Sequence, residues 1–321
     1  MTISQTIVVA GSATVDLFFG GADHLPTMSD DGFRTGNLAW CSEPLRMVVG
    51  GNGANTAYAL GKLGAAVKLF SSVGQDLPGD MLAQWLTGAG VELALLRRRA
   101  DAATSTTAIV TDTAQHQLAF HHAGAYAQTT IADLPVGWDA ALGALLITSF
   151  PLMTGLRGAG YQSLLRAARA AGATTAVDLG PAIGQVATLA EAKPLLPLVD
   201  LLIANLHEFT IFAGSADPAA IDAVLAAGAG CVVIKAGADG ARLYTTGSEP
   251  LHVPAFSTPV RQTVGAGDAF DAGLLYALLH GMDRGEALRW GNATAAQVVA
   301  AHDGMLSAPG AAQVAALAAE G

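Results

Sequence analysis

The chain has 321 residues, of which 52% are hydrophobic and 13% charged, and its formal net charge is −10. This composition excludes a disordered chain, and the length allows a large core. The acidic balance argues against a nucleic-acid partner; the one local basic run, "LLRRRAD" (Leu95–Asp101), reads as a solvated face or loop.

"TIVVAGS" (Thr6–Ser12) reads as a first strand. No basic segment precedes it, so it is not read as a signal peptide. No apolar stretch is long and uninterrupted enough to span a bilayer, and the expectation is a cytoplasmic protein without a membrane partner. Asp16 follows in "GSATVD", after a small-residue turn. A carboxylate there can accept two hydroxyl hydrogen bonds from a polyol, or bond its own turn. Residues Asp16–Val49 are rich in Gly, Asp and aromatics and show no helical pattern. In "VVGGNGANTAYALGKLG" (Val48–Gly64), Gly50, Gly51 and Gly53 make a flexible lead into a helix over Asn52–Leu63. Asn52 and Asn55 stand near its start, and amides that both donate and accept suit neutral hydroxyls. Capping explains one of the two, but not the need for both.

Further apolar runs follow at Val67–Gly74, Ala144–Phe150, Thr174–Gly180, Leu201–Glu208 and Cys231–Gly237. Helical patterns cover Leu156–Ala171, Pro218–Ala227 and Glu286–Ala301, and the Ala-rich tail Ala311–Ala319 reads as a last helix. Continuous apolar strands alternating with helices predict a mainly parallel sheet covered on both faces. Ligands of such sheets bind beyond the carboxyl ends of the strands, where "GSATVD", "DLGP" and "NLHE" fall. Asp101–Gln128 alternates like an antiparallel hairpin turning at "TAQH" (Thr113–His116). With Asp16–Val49 it reads as an insertion that forms a small sheet over one end of the large one. Cys41 and Cys231 form no pair or zinc motif, and Cys231 reads as a small buried hydrophobe. "NLHE" places Asn205 and Glu208 as a capping box at a strand–helix junction. The same hard oxygens near phosphates also hold Mg²⁺, usually through water.

"TVGAGDAFDAGLLYALLHG" (Thr263–Gly281) runs from small residues into a helical pattern of Phe270, Leu274, Ala277 and Leu278. A helix N-terminus exposes N–H groups and partial positive charge, and glycines let an anion approach. Gly265, Ala266 and Gly267 therefore offer donors to a phosphate. Asp268 beside them can accept a proton from an attacking hydroxyl during phosphoryl transfer, or merely complement the helix dipole. Two other nucleotide motifs fail. Phe270 stands where a dinucleotide fingerprint needs glycine, and Leu63 stands where a P-loop needs Ser or Thr.

Together these stretches resemble the ribokinase-like (PfkB) carbohydrate kinase family over nearly the whole chain. "GGNGANTAYALGKLG" with "VGQDLPG" resembles its N-terminal signature, and "TVGAGDAFDAGLL" its C-terminal one. "NLHE" matches its N-x-x-E motif, and "KAGADGA" (Lys235–Ala241) resembles its nucleotide loop. The resemblance implies a single three-layer α/β/α domain over 1–321, with a β-sheet lid from about 16–49 and 101–128. It implies ATP and Mg²⁺ as cofactors and a sugar or nucleoside as substrate. Asp268 becomes the base, with Gly265, Ala266 and Gly267 as its anion hole. Asp16, Gly51, Asn52 and Asn55 contact the sugar, while Asn205 and Glu208 organise Mg²⁺ and phosphates. Lys235, Gly237 and Gly240 line the nucleotide loop, and Asn292 in "WGNATAAQVVA" sits near adenine. The lid in relatives often also forms a dimer contact.

Three departures are visible. Gln262 stands where the C-terminal signature begins with Asp, which puts activation by a monovalent cation in doubt. "TSTT" (Thr104–Thr107) replaces a Thr-Gly start of the lid hairpin. "DLGPA" (Asp178–Ala182) lacks the Asn and Arg of many sugar kinases. The reading is an ATP-dependent kinase of a sugar hydroxymethyl group. The alternatives are a nucleoside kinase, for which "FHHAGAY" (Phe120–Tyr126) offers His and aromatic rings to a base, and a non-catalytic sugar sensor. Of His121 and His122, one is expected to face the lid interior and the other solvent.

Overall fold

A computed structural model describes residues 5–27, 30, 32–114 and 116–320. The chain runs β1 (Thr6–Ala10), β2 (Thr14–Ala22), β3 (Arg46–Gly50), α1 (Asn52–Lys62), β4 (Val67–Gly74), α2 (Leu77–Gly88), β5 (Val91–Glu92), β6 (Leu96–Arg99), β7 (Ser105–Asp112) and β8 (Gln117–His122). It continues through β9 (Leu142–Ile147), α3 (Ala159–Ala170), β10 (Thr174–Asp178), α4 (Leu189–Ala192), β11 (Leu201–Asn205), α5 (Leu206–Ala213), α6 (Pro218–Ala226) and β12 (Cys231–Lys235). β13 (Ala241–Tyr244), β14 (Leu251–Val253), α7 (Ala266–Leu279), α8 (Arg284–Ala300) and α9 (Ala311–Ala318) complete it.

The large sheet has the order β14-β13-β12-β11-β10-β9-β1-β4-β5, with β6 pairing β4. β13 and β14 are antiparallel to their neighbours; the pairs from β12 to β5 are parallel. The central parallel strands are covered on both faces, so their side chains are mostly apolar. In β1, Ile7 and Val9 join the core under α1, α7 and α8, while Val8 and Ala10 join the core under α3, α5 and α6. The expected three layers are thus present. β1 lies between β9 and β4, so the strand order reverses at its carboxyl end, which is where open α/β sheets build their sites.

The two insertions form a separate four-stranded sheet, β3-β2-β7-β8. β7 and β8 pair antiparallel as the alternation predicts, and Gln115 of the predicted turn lies outside the described residues. One in-register row crosses this sheet as Val48–Asp16–Thr107–His121, and the next, on the opposite face, as Met47–Leu17–Ala108–Phe120.

Of the face or loop expected for "LLRRRAD", the structure forms a strand with an accessible side: buried Leu95 and Leu96 anchor it, Arg97 is exposed, and β6 extends the sheet beside β4. Arg99 donates to Asp133 Oδ2 at 2.7 Å and to the Gln128 carbonyl at 2.9 Å. Packing of the two leucines overrides the polarity of the arginines. Cys231 is buried as expected, and burial pushes its thiol up to about 11. Among the described residues no single helix is long and apolar enough to cross a membrane.

Candidate active site

α7 starts where the chain passes Gly265, which takes a left-handed φ of +83° that a side chain would strain. The Ala266 N–H turns back to the Thr263 carbonyl at 3.2 Å. Asp268 then falls on the third helical residue, buried against α1. Asn52 Nδ2 donates to its Oδ1 and Asn55 Nδ2 to its Oδ2, each at 2.8 Å. Burial pushes Asp268 up to about 6, against the pull of these two amides and the Lys235 charge.

The two asparagines therefore do not cap α1. Its N-cap is Gly51, at φ +79° and without a side-chain bond, so both amides are free to turn on the carboxylate. Asn52 is held in turn: Ser149 Oγ donates to its Oδ1 at 3.2 Å, which aims the NH₂ at Asp268. Ser149 adopts φ +55°, a costly conformation for a residue with a Cβ, and its hydroxyl also meets Ser12 Oγ at 2.7 Å. No sequence signal marked Ser149.

Asp16 comes from β2 of the small sheet and is buried over Gly50, where any Cβ would occupy the place of its carboxyl. Burial pushes Asp16 up to about 6, a Thr107 hydrogen bond pulls it down, and the Asp268 charge pushes it up again. Asp16 Oδ1 and Asn55 Oδ1 are buried acceptors with no donor. Such atoms are costly unless something donates to them. Asp16, Gly51, Asn52, Asn55 and Asp268 are thus gathered at one place, as predicted from segments more than 200 residues apart.

Lys235 ends β12 below Gly267, whose absent Cβ would lie 3.2 Å from Nζ. Nζ donates to Asp178 Oδ2 at 2.6 Å and to Asp271 Oδ1 at 3.2 Å. Burial opposes the ammonium charge, but Asp178, Asp271 and Glu208 outweigh it and raise the lysine above its usual range. Burial holds Asp271 well above the usual carboxylate range, against Lys235 and with Asp178. The sequence placed Lys235 on the nucleotide loop but gave no part to Asp178 or Asp271. The available signal was spacing: Asp271 is one turn after Asp268 on a helix with an otherwise apolar buried face.

Asn205 and Glu208 form the predicted capping box, Asn205 Oδ1 accepting from Glu208 N and Glu208 Oε2 from Asn205 N, both at 2.8 Å. Burial, then the Asp178 charge, push Glu208 up to about 7. Beyond Lys235 a cleft of about 580 Å³ is lined by Gly237, Gly240, Phe256, Gly267, Phe270 and Asn292. Asn292 Nδ2 is tied to the Val253 and Pro254 carbonyls at 3.0 Å each, so this residue shapes the cleft wall with its amide nitrogen committed. The geometry sets a helix N-terminus beside a buried polar cluster with two raised carboxyls and a largely apolar cleft.

A profile described as pfkB family carbohydrate kinase matches residues 9–310. A protein of Shouchella clausii named 5-dehydro-2-deoxygluconokinase is 27% identical over 279 residues, 84% of this chain and 86% of its own. A nucleoside kinase of Methanothermobacter thermautotrophicus is 26% identical over 272 residues, 84% of each chain. In structure, the chain is similar to an Arabidopsis thaliana ribokinase solved with ribose and ATP. The TM-score is 0.83 and the identity 22%, covering 99% of this chain and 100% of that one. The profile match spans almost the whole chain, the fold is the ribokinase fold, and the chain belongs to the pfkB family of carbohydrate kinases, phosphotransferases by activity.

Proposed function

We propose that this kinase transfers the γ-phosphoryl group of ATP to a hydroxymethyl group of a sugar or sugar-like polyol, with Asp268 as the base. The supporting observation is the pair of amides that clamp Asp268 beside the Gly265–Gly267 turn, facing the unpartnered Asp16 Oδ1. In this reading Asp16 and Asn55 Oδ1 accept substrate hydroxyls. That fixes the hydroxymethyl oxygen within reach of Asp268. Asn52 and Asn55 hold the carboxylate, and its raised pKa lets it take a proton near neutral pH. The N-terminus of α7, with the long Ala266–Thr263 bond open to exchange, receives charge on the moving phosphoryl group. Lys235 adds a fixed positive charge just beneath it. Gly237, Gly240 and Asn292 border the nucleotide.

Among the described residues no group of three or more His, Cys, Asp or Glu side chains is placed to hold a metal ion. Glu208, raised by burial among other acids, suits a cation that arrives with the nucleotide and keeps much of its water. Mg²⁺ so bound would neutralise phosphate charge, with Glu208 and Asn205 orienting its waters. An ATPase-coupled assay over a panel of sugars and nucleosides tests the reading. Turnover of a hydroxymethyl sugar supports it; preference for a nucleoside moves the substrate, and silence across the panel favours a sensor.

K⁺ is expected to stimulate turnover little. The Gln262 amide packs against Gly304, and a neutral carbonyl compensates ion desolvation poorly without a carboxylate. The measurement is turnover in buffer free of Na⁺ and K⁺, with K⁺ added at constant ionic strength. Saturable strong activation would show that backbone carbonyls suffice.

The small sheet is proposed to act as a lid. It carries Asp16, and Arg46 Nη1 of β3 bonds the His302 carbonyl of the main body at 2.7 Å. Closure excludes water that would waste ATP. Spin-label distances between β8 and α3 should shorten on adding substrate; unchanged distances would count against closure. On its outer face Met47 is 42% and Phe120 56% exposed, an apolar row that suits the homodimer contact implied by the resemblance. Sedimentation of a Phe120→Glu variant against the parent tests that contact.

A further inference from the structure

Asp16 is held from behind by residues of the small sheet that lie outside the roles assigned above. Thr107 and His121 stand beside it in one register row, on the same face. His121 Nδ1 lies 3.1 Å from Thr107 Oγ1, and His121 Nε2 lies 2.8 Å from the Tyr126 hydroxyl. Tyr126 belongs to the 3₁₀ turn Gly124–Gln128 and is 1% exposed. We propose that Tyr126, His121 and Thr107 form a directed hydrogen-bond chain that presents Asp16 to substrate as a pure acceptor, making them positioning residues that select a neutral polyol hydroxyl at this point. This inference rests on the kinase reading for its substrate, but the chain itself does not.

The direction follows from donor counting. An ionised carboxylate only accepts, so Thr107, paired with Asp16 in the register row and pulling its carboxyl down, can meet it only as a donor. The Thr107 oxygen then accepts, and its donor is His121 Nδ1–H. A neutral imidazole carries one N–H, so Nε2 accepts and Tyr126 donates to it. Burial supports both ends: it pushes Tyr126 up to about 12, keeping its proton, and it lowers His121 toward the neutral ring. One tautomer satisfies every contact. Thr107 occupies one part of the Asp16 carboxylate, while Oδ1 stays buried and without a donor. Only a donor fits there. A substrate hydroxyl qualifies; a carboxylate or a carbonyl oxygen brings a second acceptor and is rejected. Of the two histidines, His121 lies on the Asp16 face of the sheet and His122 on the opposite face with Thr106, and both are exposed.

Two measurements on the full-length enzyme test the chain. Long-range ¹⁵N–¹H correlation at pH 8, with His121 assigned by its loss in His121→Gln, should show a protonated Nδ1 and a bare Nε2. The opposite tautomer overturns the proposal, and this readout needs no substrate. In the kinetic arm, Thr107→Val removes the donor and keeps the shape. With the panel's best acceptor, its KM should rise about 10-fold or more with kcat within about threefold, since hydrogen bonds to charged groups are worth ~1.5–3 kcal/mol. Thr107→Ser should restore KM. A lowered thermal midpoint with unchanged KM would mean a structural role only and overturn the proposal. A silent panel with the Nδ1–H tautomer present would sink the kinase reading and leave the chain standing.

Discussion

Replacing Asp268 with asparagine is expected to lower kcat by ~10²–10⁴-fold, the loss of a general base, while the fold and the affinity for ATP persist. The amide has the carboxylate's shape but does not take a proton. It also offers one acceptor to two clamping amides, so either Asn52 or Asn55 loses its partner. The fold should survive this, because the substitution removes a charge that the site buries at a cost. The folded carboxyl, at about 6 against an ordinary 3.8, binds its proton more tightly than the unfolded one. Its contribution to stability is therefore greatest below pH 4 and is lost as the pH rises through about 6. The asparagine variant should lack that contribution to the pH dependence. In the parent enzyme kcat/KM should fall on the acid side near pH 6, more steeply than for one proton, since Asp16 titrates in the same range. Steady-state kinetics from pH 5 to 9, thermal melts and ATP titration supply the readings. A variant with near-normal kcat would remove Asp268 from the mechanism.

Lys235→Met is expected to cost ~3–5 kcal/mol of stability and most of the turnover. The ammonium has only 14% of its side chain exposed, and Asp178 and Asp271 are nearly or wholly buried. Removing the cation leaves two carboxyls facing each other in a dry place, with Glu208 nearby. Either a proton or water must enter, and both disturb the start of α7. Urea unfolding at pH 8 measures the first effect. The second-site change Asp271→Asn should recover much of the stability by removing one acid, yet leave turnover low, because the positive charge below Gly267 is still absent. A loss below about 1 kcal/mol would show that the cluster is hydrated and its charges screened.

The layered fold was legible in the sequence, as were the segments that meet around Asp268. Runs such as "IVVA" and "CVVI" are apolar without alternation, as in a strand covered on both faces, so the parallel sheet was legible in the sequence. "GAGD" showed a helix start with an acid beside it, since glycine, chain reversal and helical periodicity are local properties. The local basic run showed an accessible face but not its strand, because charge dominates a short window, while the burial of Leu95 and Leu96 is a property of the sheet edge. Asn52 and Asn55 were singled out, but the partner of their amides was not visible. A spacing of three places two amides on one side of a helix, and only the packing of α1 on α7 shows that both turn on Asp268. Asp271 and Asp178 carried no motif for this role, and a lysine 36 residues before Asp271 gives no hint of an ion pair. Ser149, Thr107 and Tyr126 act through contacts between segments separated by many residues. Hydrogen-bond direction and buried charge depend on which donors share a few ångströms of space, and that proximity is decided by tertiary structure alone.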